Sequence, residues 1–298
     1  MKFKLLSFAI LLTCMISIQS CVNLKSVNAF SKTAEVSLKS YDSIGYSWTY
    51  SFNNFTRTST IYNNLKPGEN GAIKLPDLAS DSALNTYLKA DAATGFIITS
   101  ITSYFQGLDK LSSANLVNYN FDTVAHALTS DAQLTKMLGV TSGQINASAK
   151  IASVLANDIM GVYTERKLRS IMIKYNGAVD SSITALCFIL DNTLTNNIIS
   201  DEGLLKSKYL QIVGNTSIDL NHKVKAVDDY TTAVLALEKS RQKLSSISAA
   251  MKKIKEEHNS TVKLLSGNSK LTSADVISLI QRYSGDIITI YNQINAIK

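Results

Sequence analysis

The chain has 298 residues, 45% of them hydrophobic, with 30 basic and 23 acidic side chains and a formal net charge of +7. That apolar share excludes wholesale disorder and is enough for a sizeable core. The charge is mild and its basic residues are mixed with acids, as in residues 238–243 and 252–257, which excludes the concentrated basic stripe of a nucleic-acid binder.

Lys2 and Lys4 form a short positive head, and a mostly apolar stretch follows over residues 5–18. This is the layout of a secretory signal and is short for a transmembrane helix. Ile18, Gln19, Ser20 and Cys21 then stand in a row: an aliphatic residue, a tolerant position, a small residue and a cysteine. The segment resembles the signal peptide and lipobox of bacterial lipoproteins.

The resemblance implies that residues 1–20 are removed, with Ile18, Gln19 and Ser20 recognised by the lipoprotein signal peptidase. It further implies a diacylglyceryl group on the Cys21 sulfur, so that residues 21–298 form a lipid-anchored domain. Each buried methylene contributes about 0.8 kcal/mol, and two or three acyl chains make the attachment stable where one does not. Cys14 is the rival site, but Thr13 before it is large for the position and the leader would be very short. Val22, where an aspartate would retain the protein in the inner membrane, implies by analogy the outer membrane, facing the periplasm. The resemblance covers about the first 25 residues and assigns no family to the rest.

Beyond Cys21 the spacing predicts an all-α protein, an elongated antiparallel bundle of long, partly heptad-patterned helices. Only two prolines occur, Pro67 and Pro76, and proline costs about 3 kcal/mol inside a helix. Phe30, Tyr41, Ile44, Trp48, Phe52, Phe55 and Tyr62 fall near helical spacing and predict one long helix over residues 22–65. The strict alternation Tyr46, Trp48, Tyr50, Phe52 is the rival strand signal. Residues 66–80 read as a loop. Asp81 then opens a helix carrying Leu84, Tyr87, Leu88, Ala92 and Phe96, with Gly95 a candidate kink and Gly107 a candidate interruption.

A short helix over residues 121–128 leads to Asp131, a cap candidate, and Leu138–Gly139 ends the next segment. Thr141 and Gln144 have capping-box spacing. The helix they open, with Ile145, Ala149, Ala152, Leu155, Ile159 and Tyr163, is expected to run to Asn176–Gly177. Asp180 is expected to cap the helix bearing Cys187, with breaks near residues 199–203 and 214–217.

The strongest signal covers residues 220–265. Tyr230, Leu237, Leu244, Met251, His258 and Leu265 recur every seven residues, with Ala233, Ser240, Ile247, Ile254 and Thr261 as the second seam, as on a long bundle helix. A last helix is expected over residues 272–294, with Val276, Ile277, Ile280, Tyr283, Ile287, Ile290, Tyr291 and Ile294 on one face.

Chemistry is sparse. The three histidines, His126, His222 and His258, do not pair at metal-ligand spacing, so no metal is expected. Phosphate-binding glycine patterns and nucleophile elbows are absent, and no cofactor is expected. The pairs Asp228–Asp229 and Glu256–Glu257 point about 100° apart on a helix and read as solvated. Cys187, in an apolar run, reads as a buried inert thiol.

The expected function is a non-catalytic structural or protein-interaction lipoprotein of the envelope, with the membrane as one partner through Cys21. An envelope protein or a second copy is the other partner. The alternatives are a small-ligand binder or enzyme lined near Trp48 and Tyr50, and a membrane-active, pore-forming-like bundle.

Overall fold

The structure, a computed structural model, describes residues 31–65 (without Thr33, Val36 and Lys39), 82–110, 128–157 and 165–266. The regular elements among them are all helical. They are α1 (Trp48–Asn64), α2 (Ser82–Lys110), α3 (Ala132–Leu138), α4 (Ser142–Asn157), α5 (Glu165–Phe188), α6 (Thr195–Gly214) and α7 (Leu220–Ser266).

The helix starts follow local chemistry. Ser47 accepts a bond from the Tyr50 amide, while the Asp91 carboxylate on α2 takes the amides of Trp48 and Thr49 at 2.8 and 3.0 Å. A carboxylate there satisfies free donors and complements the positive helix end. Asp131 caps α3 through the amides of Gln133 and Leu134. Thr141 and Gln144 close the predicted box: the Thr141 amide donates to the Gln144 side chain at 2.8 Å, and the Gln144 amide to the Thr141 hydroxyl at 3.2 Å.

Two expected breaks do not occur. The chain stays helical through Asn176–Gly177 and through residues 199–203, so Asp180 is an interior residue of α5 and not a cap. It instead holds the Asn259 amide at 2.8 Å and lies 3.3 Å from the Lys255 ammonium. A π-helical turn, Ile189–Leu194, joins α5 to α6 without interruption. α2 likewise passes through Gly95 and Gly107. The single helix expected over residues 22–65 is divided in its described part: a tight turn at Ser40–Ser43 and Gly45, with φ at +71°, precede α1. The rival strand reading of Tyr46–Phe52 falls to the helix, which takes in Trp48, Tyr50 and Phe52.

α5–α6 and α7 run antiparallel, and the π turn divides the molecule into two levels. At the lower level α2, α4, α5 and the second half of α7 pack together; at the upper level α6 lies between α1 and the first half of α7. Both predicted seams of α7 face inward: Leu244, Met251 and Ile254 are fully buried, and Leu237, Ile247, His258, Thr261 and Leu265 are buried beside them. Burying such an aliphatic side chain stabilises by about 1.5–3 kcal/mol. α7 has 47 residues, a length of roughly 70 Å. Among the described residues the first half runs mainly along α6, and near its end Ser240 and Lys243 donate to the carbonyls of Ile44 and Ser43. Among the described residues no helix is long and apolar enough to cross a membrane.

Candidate functional site

Ile18, Gln19, Ser20 and Cys21 lie outside the described residues, as do His126 and the helix expected over residues 272–294. The other singled-out residues divide into buried and exposed groups.

His258 sits in the lower core, its Nδ1 3.0 Å from Asn176 Oδ1 and its Nε2 2.7 Å from the Tyr104 hydroxyl. An amide oxygen only accepts, so Nδ1–H donates to Asn176 and Nε2 accepts a hydrogen bond from the Tyr104 hydroxyl. Burial pushes the His258 pKa down to about 4, and pushes the Tyr104 hydroxyl far above its ordinary value. Both groups stay neutral and act as packing elements.

Cys187 is buried, its thiol 3.7 Å from the Ser248 carbonyl, and burial raises its pKa. This is the opposite of an activated thiolate. Trp48 is also core, its indole N–H donating to Thr94 Oγ1 at 3.1 Å. Tyr50 is exposed, so the two rings do not share one ligand platform.

Asp229 pairs with Lys225 at 3.0 Å and Glu256 with Lys253 at 3.0 Å, on the surface as expected. Glu257 is a correction: it is fully buried, because the 100° step from Glu256 turns it onto the inner face of α7. A second buried acid, Asp201 on α6, accepts the Tyr46 hydroxyl at 2.8 Å, with Ser51 and Asn54 also bonded to it. Burial raises its pKa against the pull of those donors.

The exposed feature is apolar. Lys206, Tyr209, Leu210 and Val213 on α6 and Val227 and Tyr230 on α7 line an open groove of about 220 Å³. Tyr209 and Tyr230 form its floor, their ring centroids 5.6 Å apart. Lys208 lies beneath, its Nζ 4.0 Å from the Tyr209 ring centre; burial, then the nearby Arg57 charge, lower its pKa. Beside the groove α7 carries an exposed aliphatic stripe: Leu220 is 74% exposed and Leu235 64%, with Val224 and Val227 also exposed. Leu210 on α6 is 62% exposed.

With Val213 these side chains present roughly 600 Å² of apolar surface, at the upper end of what a soluble monomer shows in one patch. The sequence carried a signal for it. Leu220, Val224, Val227, Thr231 and Val234 repeat at alternating steps of four and three residues, a second stripe about 110° around the helix from the buried seam. Following the longer seam alone passes over it.

Among the described residues no group of three or more histidine, cysteine, aspartate or glutamate side chains is placed to hold a metal ion. Among the described residues the arrangement offers an exposed apolar surface along α6 and α7. No known protein family, curated protein or solved structure matches this chain.

Proposed function

We propose that this chain is a lipid-anchored, non-catalytic interaction module of the bacterial envelope, tethered through Cys21 and making contact through the α6–α7 hairpin. The observation that carries the reading is the position of the exposed aliphatic stripe relative to the proposed anchor. Glu35, fourteen residues after Cys21 in the sequence, accepts the Gln106 amide at 2.8 Å near the end of α2. Tyr104, one helical half-turn away, is level with His258 on α7. From His258 back to Leu220 is roughly 57 Å at 1.5 Å per residue. The stripe therefore stands far along the bundle from Glu35, which supports a contact with another molecule over one with the leaflet.

The anchor is tested by fractionation. Wild-type protein expressed in a bacterial host is expected in the membrane fraction, and Cys21→Ser in the soluble periplasmic fraction with the same helical signal. Retention of Cys21→Ser on the membrane, after a high-salt wash, would contradict the tether.

A further inference from the structure

We infer that the exposed stripe of α7 is a self-association surface, on which two copies pair through parallel first halves of α7. The inference rests on the interaction-module reading and specifies its partner as a second copy of this chain.

The stripe has the repeat a parallel two-stranded coil requires. Leu220, Val227 and Val234 fall at one set of seam positions and Val224 and Thr231 at the other. The second set is β-branched throughout and the first holds Leu220 and two valines, so the repeat marks an apolar seam for a partner helix without itself fixing the number of strands. The Thr231 hydroxyl is bonded back to the Val227 carbonyl at 2.9 Å, which satisfies its donor within its own helix and suits the residue to an apolar contact.

The flanks are complementary in the same register. In a parallel pair the residue before one seam position lies against the residue five further on in the partner helix. Lys223 thus meets Asp228 of the second copy, twice by symmetry. Tyr230 meets Leu235, which accounts for an aliphatic side chain as exposed as Leu235 outside the stripe's centre. Lys225 and Asp229, the other charges of this stretch, already pair within their own helix and point away from the stripe.

The register also ends where the chemistry changes. The next seam position is Glu238, which pairs with Arg241 in its own helix, and from Leu237 onward α7 turns its apolar residues to the bundle.

Area and geometry agree with a weak dimer. Covering the whole exposed patch on both copies would remove at most about 1,200 Å² in total, the lower bound for specific interfaces. The stripe presents the same positions from both copies to one another, as a two-fold contact needs. Parallel pairing is the arrangement open to two copies tethered at the same end to one leaflet, and confinement there raises their effective concentration.

The test uses the full chain in its membrane. A Val227→Cys variant places a thiol at the centre of the stripe, and Thr232→Cys places one on the same helix outside it. Mild oxidation is expected to convert Val227→Cys to a band of twice the mass, with Thr232→Cys and wild type remaining single; Cys187 is buried and contributes none. Detergent-extracted protein in sedimentation is expected to dimerise with rising concentration. Lys223→Asp weakens that association about tenfold, and Lys223→Asp with Asp228→Lys restores it.

Equal cross-linking of the two cysteine variants would overturn the inference, as would a monomer at every concentration. A charge swap without effect would overturn the parallel register, since antiparallel helices would not bring residues 223 and 228 together. Monomer that binds phospholipid vesicles through the stripe, lost on Val224→Glu, would assign the surface to lipid instead. Membrane fractionation of the same variants reads the anchor separately, so a failed dimer leaves the tether standing and a failed tether is seen as such.

Discussion

Tyr104 and His258, 154 positions apart, meet through a 2.7 Å hydrogen bond in the lower core, where the Tyr104 hydroxyl donates to Nε2 of a neutral imidazole. The Asn176 side-chain oxygen accepts the N–H of the other ring nitrogen. The three side chains tie α2, α5 and α7 together at one level, and every polar atom of the imidazole is satisfied without charge.

That neutrality has a pH signature. The folded pKa of His258 is pushed down to about 4 by burial, while the unfolded chain titrates near 6.5. The unfolded state therefore binds more protons between these values. Stability is complete above about pH 6.5 and falls as the pH drops towards 4, by on the order of 3 kcal/mol. Asp201 acts in the opposite direction, since its raised pKa favours the folded state as acid is added. A His258→Gln variant isolates the histidine. Its denaturant midpoint is expected to lie below wild type at pH 7.5, with the gap narrowing by pH 4; a gap independent of pH would refute this.

The two halves of α7 should respond differently to the same change. Leu244 is fully buried, so Leu244→Ala is expected to cost 2–5 kcal/mol, about the range for a cavity left in a core. Leu235 is largely exposed, and Leu235→Ala should cost less than about 0.5 kcal/mol. Thermal unfolding monitored by circular dichroism measures both. Comparable losses would mean that the first half of α7 is covered in the folded monomer.

Gly139 ends α3 with φ at +69°. A Cβ there would lie 2.3 Å from Cε1 of Phe188, but that atom is the far end of an exposed side chain and can swing aside. The backbone cost remains. Gly139→Ala is expected to destabilise by about 1–2 kcal/mol, and Gly139→Asn by less. If Phe188→Ala in the same chain removed the loss, the contact and not the backbone would dominate.

Asp201 is held at a cost. Its carboxylate is buried under Tyr46, and the effect of burial exceeds that of its hydrogen-bond donors. Asp201→Asn keeps an oxygen acceptor for the Tyr46 hydroxyl and removes the charge. Stability at pH 7 is expected to rise, moving the melting temperature up by about 2–4 °C. The advantage should shrink as the pH falls and the native carboxyl takes up its proton. A lower melting temperature at pH 7 would show that the ionised form is the better acceptor.

The helical class, the caps at Asp131 and Thr141–Gln144 and the long seam of α7 were legible because each rests on local spacing. Continuity through Gly177 and residues 199–203 was not. A glycine inside a helix costs about 1 kcal/mol, and buried neighbours such as Tyr175, Val179, Ile198 and Leu205 outweigh that cost through packing that no local window contains. The π turn at Ile189–Leu194 is held from outside: Asp191 accepts Ser248 and Lys252 at 2.8 and 2.7 Å, and Thr193 donates to the Leu138 carbonyl at 3.1 Å. The exposed stripe was present in the spacing of residues 220–234. Its exposure depends on which described helices lie beside it, chiefly α6, which only the packing reveals.

The central proposal is a lipid on one sulfur, and the intact mass of the amino-terminal peptide from membrane-extracted protein reads it directly. The account predicts a chain that starts at Cys21 and carries the added mass of a diacylglyceryl group, with or without a further acyl chain on the amine. A chain that starts at Met1, or one in which Cys21 is an unmodified thiol, would contradict it.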